Sequence, residues 1–367
     1  MTSKKSWLNK LLLLLNILVI IALIISYFAP ITDPTRNWLP SLMGLIFPVL
    51  FIINCLFIII WIFRWKYFFL FSAITLLFGW NMFFRSVAFN GEKPVGAYDD
   101  ALKVLSYNVR LFDQYKWTGN QNYFTRNSIF SLIENEDADI VCFQEFFHGN
   151  EKSFPTVEPF VDAQKAKYHH IDYVLSRGNN KNFGIATFSH YPIVNTGEIH
   201  FEGAHANSGI YTDILFRSDT IRIFNLHLES VRFSKHDYQF VSEYLDPGTY
   251  SGSGSRIILS KLKNAFIKRS NQASVIAGYI EKSPYPVIVC GDFNDTPASF
   301  AYRTICKNLN DTFLEIGHGV GSTYAGNLPF LRIDYLLHSD RLEPYHFEIQ
   351  KVAYSDHYPI SCFFKIK

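Results

Sequence analysis

The stretch Val287-Ile-Val-Cys-Gly-Asp-Phe-Asn-Asp-Thr-Pro297 decides how this chain is read. Its first four residues are apolar at consecutive positions, as in a strand covered on both faces. The strand then meets Gly291, which permits an unusual turn or a close backbone approach, and continues to Asp292 and Asn294. If the backbone stays extended, these two side chains share one face and set a carboxylate beside an amide. An ordinary Gly-Asp turn closed by an Asx hydrogen bond would use the same residues.

Outward from this segment, short apolar runs alternate with polar turns. Strands are expected near 102–108, 139–144, 171–176, 183–188, 210–216, 220–228, 286–290, 332–337 and 359–366. Helices are expected at 122–135 and 256–280; the second places Ile258, Leu262, Ala265, Phe266, Ala273 and Ile276 near helical spacing. Strands interleaved with helices make an α/β layered domain.

Polar residues interrupt these runs where a rigid sheet aims groups at a ligand, at the strand ends. Asn108 closes Leu102-Lys-Val-Leu-Ser-Tyr-Asn, and Glu145 closes Ile140-Val-Cys-Phe-Gln-Glu. His227 lies in Ile223-Phe-Asn-Leu-His-Leu-Glu-Ser, and Asp334 sits within Arg332-Ile-Asp-Tyr-Leu-Leu. Asp356 and His357 precede the last strand in Tyr354-Ser-Asp-His-Tyr-Pro-Ile. Each has a bland reading alone. Asn108 is a turn residue, Asp334 pairs with Arg332 two positions away, and Ser-Asp-His is a turn. A carboxylate after a buried run, like Glu145, wants a partner charge or a metal.

In order, the segments SYNVR, FQE, NLHLES, GDFND, RIDY and SDHYPI span nearly all of the chain beyond residue 105. As a set they resemble the endonuclease/exonuclease/phosphatase superfamily, the deoxyribonuclease-I-like hydrolases, in a membrane-anchored, bacterial-type member. The resemblance implies a four-layer α/β sandwich of two mixed sheets with helices outside. It also implies a Mg²⁺-dependent hydrolase of phosphoesters, with Mn²⁺ as a substitute ion. Glu145 would be the main metal ligand, helped by Asn108, with Asp356 a second metal-site or water-positioning carboxylate. Asp292 would orient or deprotonate the attacking water, and Asn294 would bind phosphoryl oxygens. His357 would contact the scissile phosphate, held by Asp334, and His227 matches the extra histidine of the deoxyribonuclease, sphingomyelinase and phosphatase branches. Some abasic-site nucleases of the family carry an acid two positions after the first Asn. Here that position is Arg110, a candidate substrate-binding cation, which argues against the repair branch. Oxygen ligands suit Mg²⁺, and no Cys/His cluster prefers Zn²⁺.

The N-terminal quarter is of another kind. Residues 11–28, 41–63 and 67–84 carry no charged side chain. Crossing a hydrocarbon layer ~30 Å thick takes about 20 such residues. Three transmembrane helices are therefore expected at 11–28, 42–63 and 67–84, giving an anchor over 1–90, a linker over 91–100 and a hydrolase-like domain over 101–367. Lys4, Lys5, Lys10, Arg64 and Lys66 place the N-terminus and the second turn in the cytoplasm. The expected protein is thus an integral, multi-pass one of an inner or plasma membrane, its large domain outside the cytoplasm. Without ionisable groups in the spans, an anchor is favoured over a transporter. The only strongly polar side chains there are Asn16, Asn54 and Asn81.

Residues 1–90 hold seven basic side chains and one acid, leaving 27 basic against 31 acidic in the remaining 277 residues. A net acidic domain is not the electrostatic footprint of a tight nucleic-acid binder. The candidate partners are a phosphoester, whether lipid headgroup, nucleotide or nucleic acid, and the bilayer. A membrane-tethered nuclease and an inactive scaffold remain the alternatives. Residues 229–254 are expected to form a substrate lid. Phe146, Phe147, Phe154, Tyr238, Phe240, Tyr244 and Tyr250 either stack on substrate or pack.

Overall fold

The computed structural model describes residues 2–91, 100–120, 123–149, 154–177, 181–201, 207–231, 252–326 and 330–367. The chain divides into two compact units. One comprises Met1–Ser86, Ser230–Asn271 and Asp295–Arg303; the other comprises Val87–Glu229, Gln272–Asn294 and Thr304–Lys367.

The apolar runs of the second unit become strands. These are β1 (Leu102–Asn108), β2 (Ile140–His148), β3 (Tyr168–Arg177), β4 (Lys181–Ser189), β5 (Ile193–Ile199) and β6 (Ser208–Phe216), followed by β7 (Asp219–His227), β8 (Val287–Asp292), β9 (Asn310–Asp311), β10 (Asp334–His338), β11 (Leu342–Ile349) and β12 (Ile360–Ile366). They form two six-stranded sheets, ordered β11-β12-β1-β2-β4-β3 and β5-β6-β7-β8-β10-β9. Both sheets are mixed, because β1–β2 and β7–β8 run parallel while the other pairs are antiparallel.

Period-two alternation sorts the side chains between layers. Val104, Ile140 and Cys142 meet Ile223, Ile288, Cys290 and Leu336 between the sheets. Their neighbours Leu105, Val141 and Phe143 face the other way, onto Ile129, Phe130 and Ile133 of helix Phe124–Glu136 and Phe160 of helix Val157–Gln164. On the outer side of the second sheet, Tyr211 of β6 meets Tyr279 of helix Gly252–Glu281 at 6.3 Å between ring centroids. Full burial of such a side chain contributes roughly 1.5–3 kcal/mol.

Strands β5, β9 and β11 were not expected from the sequence, and all three lie at or toward sheet edges. Edge strands carry polar residues and proline that erase the apolar signature. β5 reads Ile-Val-Asn-Thr-Gly-Glu-Ile, and β11 contains Pro344.

In the first unit, Trp7–Tyr27 is one uninterrupted helix long and apolar enough to cross a membrane. The other two expected spans are broken. Leu39–Leu45 and Phe47–Phe63 meet at 69°, and Phe69–Phe78 and Trp80–Ser86 meet at 63°. By length and composition the described residues thus offer one crossing helix, or up to three if each bent pair counts as one. The first break falls just before Pro48, which lacks the N–H a continuous helix needs. The second falls at Gly79, where a Cβ would lie 2.2 Å from the Tyr27 ring. The Tyr27 hydroxyl donates to the Thr75 carbonyl at 2.9 Å, beside this break. Asn16 has a structural role: its amide donates to Ser72 Oγ at 2.8 Å, and its oxygen accepts from Trp61 Nε1 at 2.9 Å, joining three helices.

Candidate active site

Sheet register alone gathers the polar strand ends. β1 and β2 are parallel with Asn108 beside Gln144, so Glu145 emerges next to Asn108. β7 and β8 are parallel with His227 beside Asp292. β10 runs antiparallel to β8 and starts with Asp334 opposite Asp292. β12 runs antiparallel to β1, so Asp356 and His357, just before it, arrive at the end where Asn108 lies.

Two departures from regular geometry aim the groups. The β2–β4 register slips between Phe143 and Phe146, and Glu145 sits in this bulge at φ 49°. Such a conformation costs a non-glycine residue on the order of 1–3 kcal/mol and persists where the surroundings fix it; bulges re-aim side chains. Gly291 has φ 132°, and a Cβ there would sit 2.0 Å from the Leu226 carbonyl oxygen. Gly291→Ala should therefore destabilise the protein by roughly 3 kcal/mol or more. Urea unfolding checks this, and an unchanged midpoint would refute the close approach.

Asp292 is the hub. It is 1% exposed. Its Oδ2 accepts from Asn108 Nδ2 at 2.9 Å and from Asn294 Nδ2 at 3.0 Å, and its Oδ1 accepts from the Asn294 backbone N–H at 2.7 Å. Asn294 also donates to the Leu228 carbonyl at 3.1 Å and adopts φ 51°. Asn108 reaches Glu145 Oε1 at 3.5 Å, and its own oxygen accepts from the Arg110 backbone N–H at 3.0 Å. His227 Nε2 lies 3.7 Å from Glu145 Oε1 and 3.8 Å from Asp292 Oδ2. His357 Nδ1 is 2.9 Å from Asp334 Oδ2, and its Nε2 is 3.7 Å from Asp292 Oδ2. Arg110 Nε lies 3.4 Å from Asp356 Oδ2, with its guanidinium 4.6 Å from the Trp117 ring centre. All nine residues singled out from the sequence thus belong to one connected cluster.

Arg332 does not pair with Asp334. Its Nη1 donates to Asp311 Oδ2 at 2.6 Å, and Asp334 takes His357 instead. The aromatic residues Phe146, Phe147 and Phe154 are buried in the core beneath helix Phe124–Glu136 and are not available to stack on a substrate. Tyr238, Phe240, Tyr244 and Tyr250, with most of the expected lid, lie outside the described residues.

Supporting residues went unread in the sequence. Thr323 Oγ1 accepts from the backbone N–H groups of Ile333 and Asp334, both at 3.0 Å. Tyr324 meets the His357 ring edge-on at 5.6 Å. Ser355, beside Asp356 in the Ser-Asp-His turn, donates to the Asn108 carbonyl at 2.7 Å and so ties the last loop to β1. Beneath the cluster, Gln144 Nε2 donates to Asn225 Oδ1 at 2.7 Å, bridging the two sheets.

Electrostatics divide the cluster. Burial pushes the Asp292 carboxyl up to about 6; Asp334 adds to this, while His357 and His227 oppose it. Burial, then the Asp356 charge, also raises Glu145, against the pull of His357, Asn108 and Arg110. For His357 burial works against the charged form, but Asp334 and Asp292 outweigh it and hold the imidazole well above its usual value. One ligand atom from each of Asp292, Asp334 and His357 lies within 4.8 Å of the others, close enough to hold an ion. His357 Nδ1 is already committed to Asp334, however, which suits a fixed-tautomer pair better than a donor set. Glu145, in a bulge beside the Asp356 charge, suits a hard cation; Asn108 faces it with its amide nitrogen, its oxygen being held by the Arg110 N–H, so it would ligate an ion with the amide turned.

The chain belongs to the endonuclease/exonuclease/phosphatase family, whose model matches residues 105–357. Residues 9–86 match a second family, a domain of unknown function named DUF8431. No curated protein matches the chain. Among solved structures, it is similar to an endonuclease/exonuclease/phosphatase family protein of Bacteroides thetaiotaomicron, at 14% identity over 73% of this chain and 98% of that one, TM-score 0.54. It is also similar to the human Nocturnin catalytic domain with bound sulfate, at 18% identity over 73% and 95%, TM-score 0.52. A third is a mannosyl-6-phosphatase of Bacteroides thetaiotaomicron VPI-5482, at 14% identity over 72% and 99%, TM-score 0.52. At these identities the likeness is one of fold. Family membership makes the protein a hydrolase of phosphoester bonds in general terms.

Proposed function

We propose that the protein is a membrane-anchored, Mg²⁺-dependent phosphoesterase that hydrolyses a small or lipid-linked phosphodiester or phosphomonoester by attack of water. The observation that carries this reading is Asp292, buried and hydrogen-bonded to both Asn108 and Asn294, within 3.7 Å of the His357 imidazole. Glu145, Asn108 and Asp356 would hold the ion, with Mn²⁺ able to replace Mg²⁺. A bound dication would neutralise the phosphoryl group and offset charge developing on the leaving oxygen.

The chain's own residues supply positioning, the dominant requirement of phosphoryl transfer. Asp292 accepts a proton from water as the new P–O bond forms and the ester P–O bond breaks. Asn294 would exchange its bond to the Leu228 carbonyl for a phosphoryl oxygen, and His227 would hold another. His357, charged and fixed by Asp334, donates from Nε2 to another. Arg110, at the rim beside Asp356, offers a further cation to the substrate. The helices of residues 1–90 anchor the enzyme as three spans with the hydrolase domain outside the cytoplasm, where lipid phosphoesters are within reach.

The reading fixes a pH profile. The base must be ionised, so kcat/KM should rise as pH passes about 6, where Asp292 loses its proton. It should fall again at alkaline pH as His357 loses the proton that Asp334 helps to hold. Asp334→Asn should therefore move the alkaline limb to lower pH. An unmoved limb would remove His357 from this role.

A substrate screen with and without Mg²⁺ tests the function. Cleavage of small or lipid-linked phosphoesters supports it. Cleavage of plasmid DNA alone, falling steeply with salt, would replace it with the tethered-nuclease reading.

A further inference from the structure

We propose that the protein carries a second divalent-cation site, built by Asp172, Glu198 and His200 where the edge strands β3 and β5 of the two sheets approach, and suited to Zn²⁺ rather than Mg²⁺. None of these residues belongs to the cluster around Asp292.

Strand geometry brings the donors together. Glu198 in β5 and His200 just beyond it are two positions apart and share a face. Asp172 sits at a slip in the β3–β4 register, between Asp172 and Leu175. Opposite it, Gly184 accepts the displaced chain: a Cβ there would lie 1.8 Å from the Asp172 carbonyl oxygen. The bulge is thus built into the sequence, and bulges re-aim side chains. One ligand atom from each of Asp172, Glu198 and His200 lies within 4.8 Å of the others.

A surface ion pair accounts for His200 and Glu198, 2.9 Å apart. It does not account for Asp172. That residue is 7% exposed; Ser208 hydrogen-bonds to its carboxyl, yet its Oδ2 has no hydrogen-bond partner among the described residues. A buried carboxylate oxygen left so keeps its desolvation uncompensated. Burial and the nearby Glu198 charge both push the Asp172 carboxyl up, with His200 and Ser208 opposing. A dication at the centre of the three reverses that repulsion and gives the orphaned oxygen its partner. Two carboxylates and one imidazole, the imidazole and one carboxylate exposed, leave room for a water ligand. This is a borderline donor set that Zn²⁺ accepts and Mg²⁺ does not prefer.

The test is equilibrium dialysis of the full-length protein in detergent against Zn²⁺, with excess Mg²⁺ present. The expected result is one retained Zn²⁺ in the wild type. His200→Ala and Glu198→Gln should each weaken its binding roughly tenfold or more, with unchanged melting curves. Glu145→Gln should retain the zinc. Zinc binding unaltered in both edge variants, or lost only in Glu145→Gln, would overturn the proposal.

Discussion

Asp292→Asn should lower kcat/KM by roughly 10³-fold while the protein stays folded. The substitution keeps the side-chain volume at a position that is 1% exposed, so it opens no cavity. It removes the one carboxylate that meets Asn108, Asn294 and His357 together. A general base contributes typically ~10²–10⁴-fold, and a preorganised group facing developing charge contributes a further ~10²–10³-fold. Because the two roles share one side chain, they are not additive, and about 10³, the middle of the general-base range, is the expected loss. The measurement is steady-state hydrolysis of the best substrate at saturating Mg²⁺. Full activity in the variant would mean that the turnover came from a contaminant, and would favour an inactive scaffold.

Glu145→Gln carries the second large effect and differs in kind. The carboxyl is raised by burial and by Asp356, and a cation bound beside it would favour its charged form. Glutamine keeps the shape and an oxygen but removes the charge. The Mg²⁺ concentration for half-maximal activity should rise by on the order of a hundredfold, and activity at fixed low Mg²⁺ should fall correspondingly. Excess metal should recover part of it, unlike in Asp292→Asn. A Glu145→Gln enzyme with an unaltered Mg²⁺ requirement would remove this residue from the metal site.

Much of the site was legible because it breaks rules of burial. A carboxylate after Val-Ile-Val-Cys-Gly, or within Ile-Asp-Tyr-Leu-Leu, is conspicuous where apolar residues dominate. The sequence could not assign partners. Asp334 has Arg332 two residues away, yet pairs with His357, 23 residues on, while the Arg332 guanidinium goes to Asp311. Thr323 lies in a glycine-rich loop without periodicity, and Ser355 acts on a carbonyl 247 residues earlier. Neither contact leaves a local signal. Strands β5 and β11 escaped for the opposite reason, since an edge is kept polar or interrupted by proline. In the N-terminal part the apolar runs were plain. Pro48 and Gly79, which bend two of them, carry ordinary breaker signals that the length of the runs outweighed.

The central claim is that Glu145 holds a divalent ion in the same cleft as Asp292 and His357. The most direct measurement is an anomalous difference map from crystals soaked in Mn²⁺ with a phosphate mimic. A peak is expected at coordination distance from a Glu145 carboxylate oxygen, with the mimic between that ion and His357. No ion at Glu145 at saturating Mn²⁺, with the mimic bound elsewhere, would contradict it.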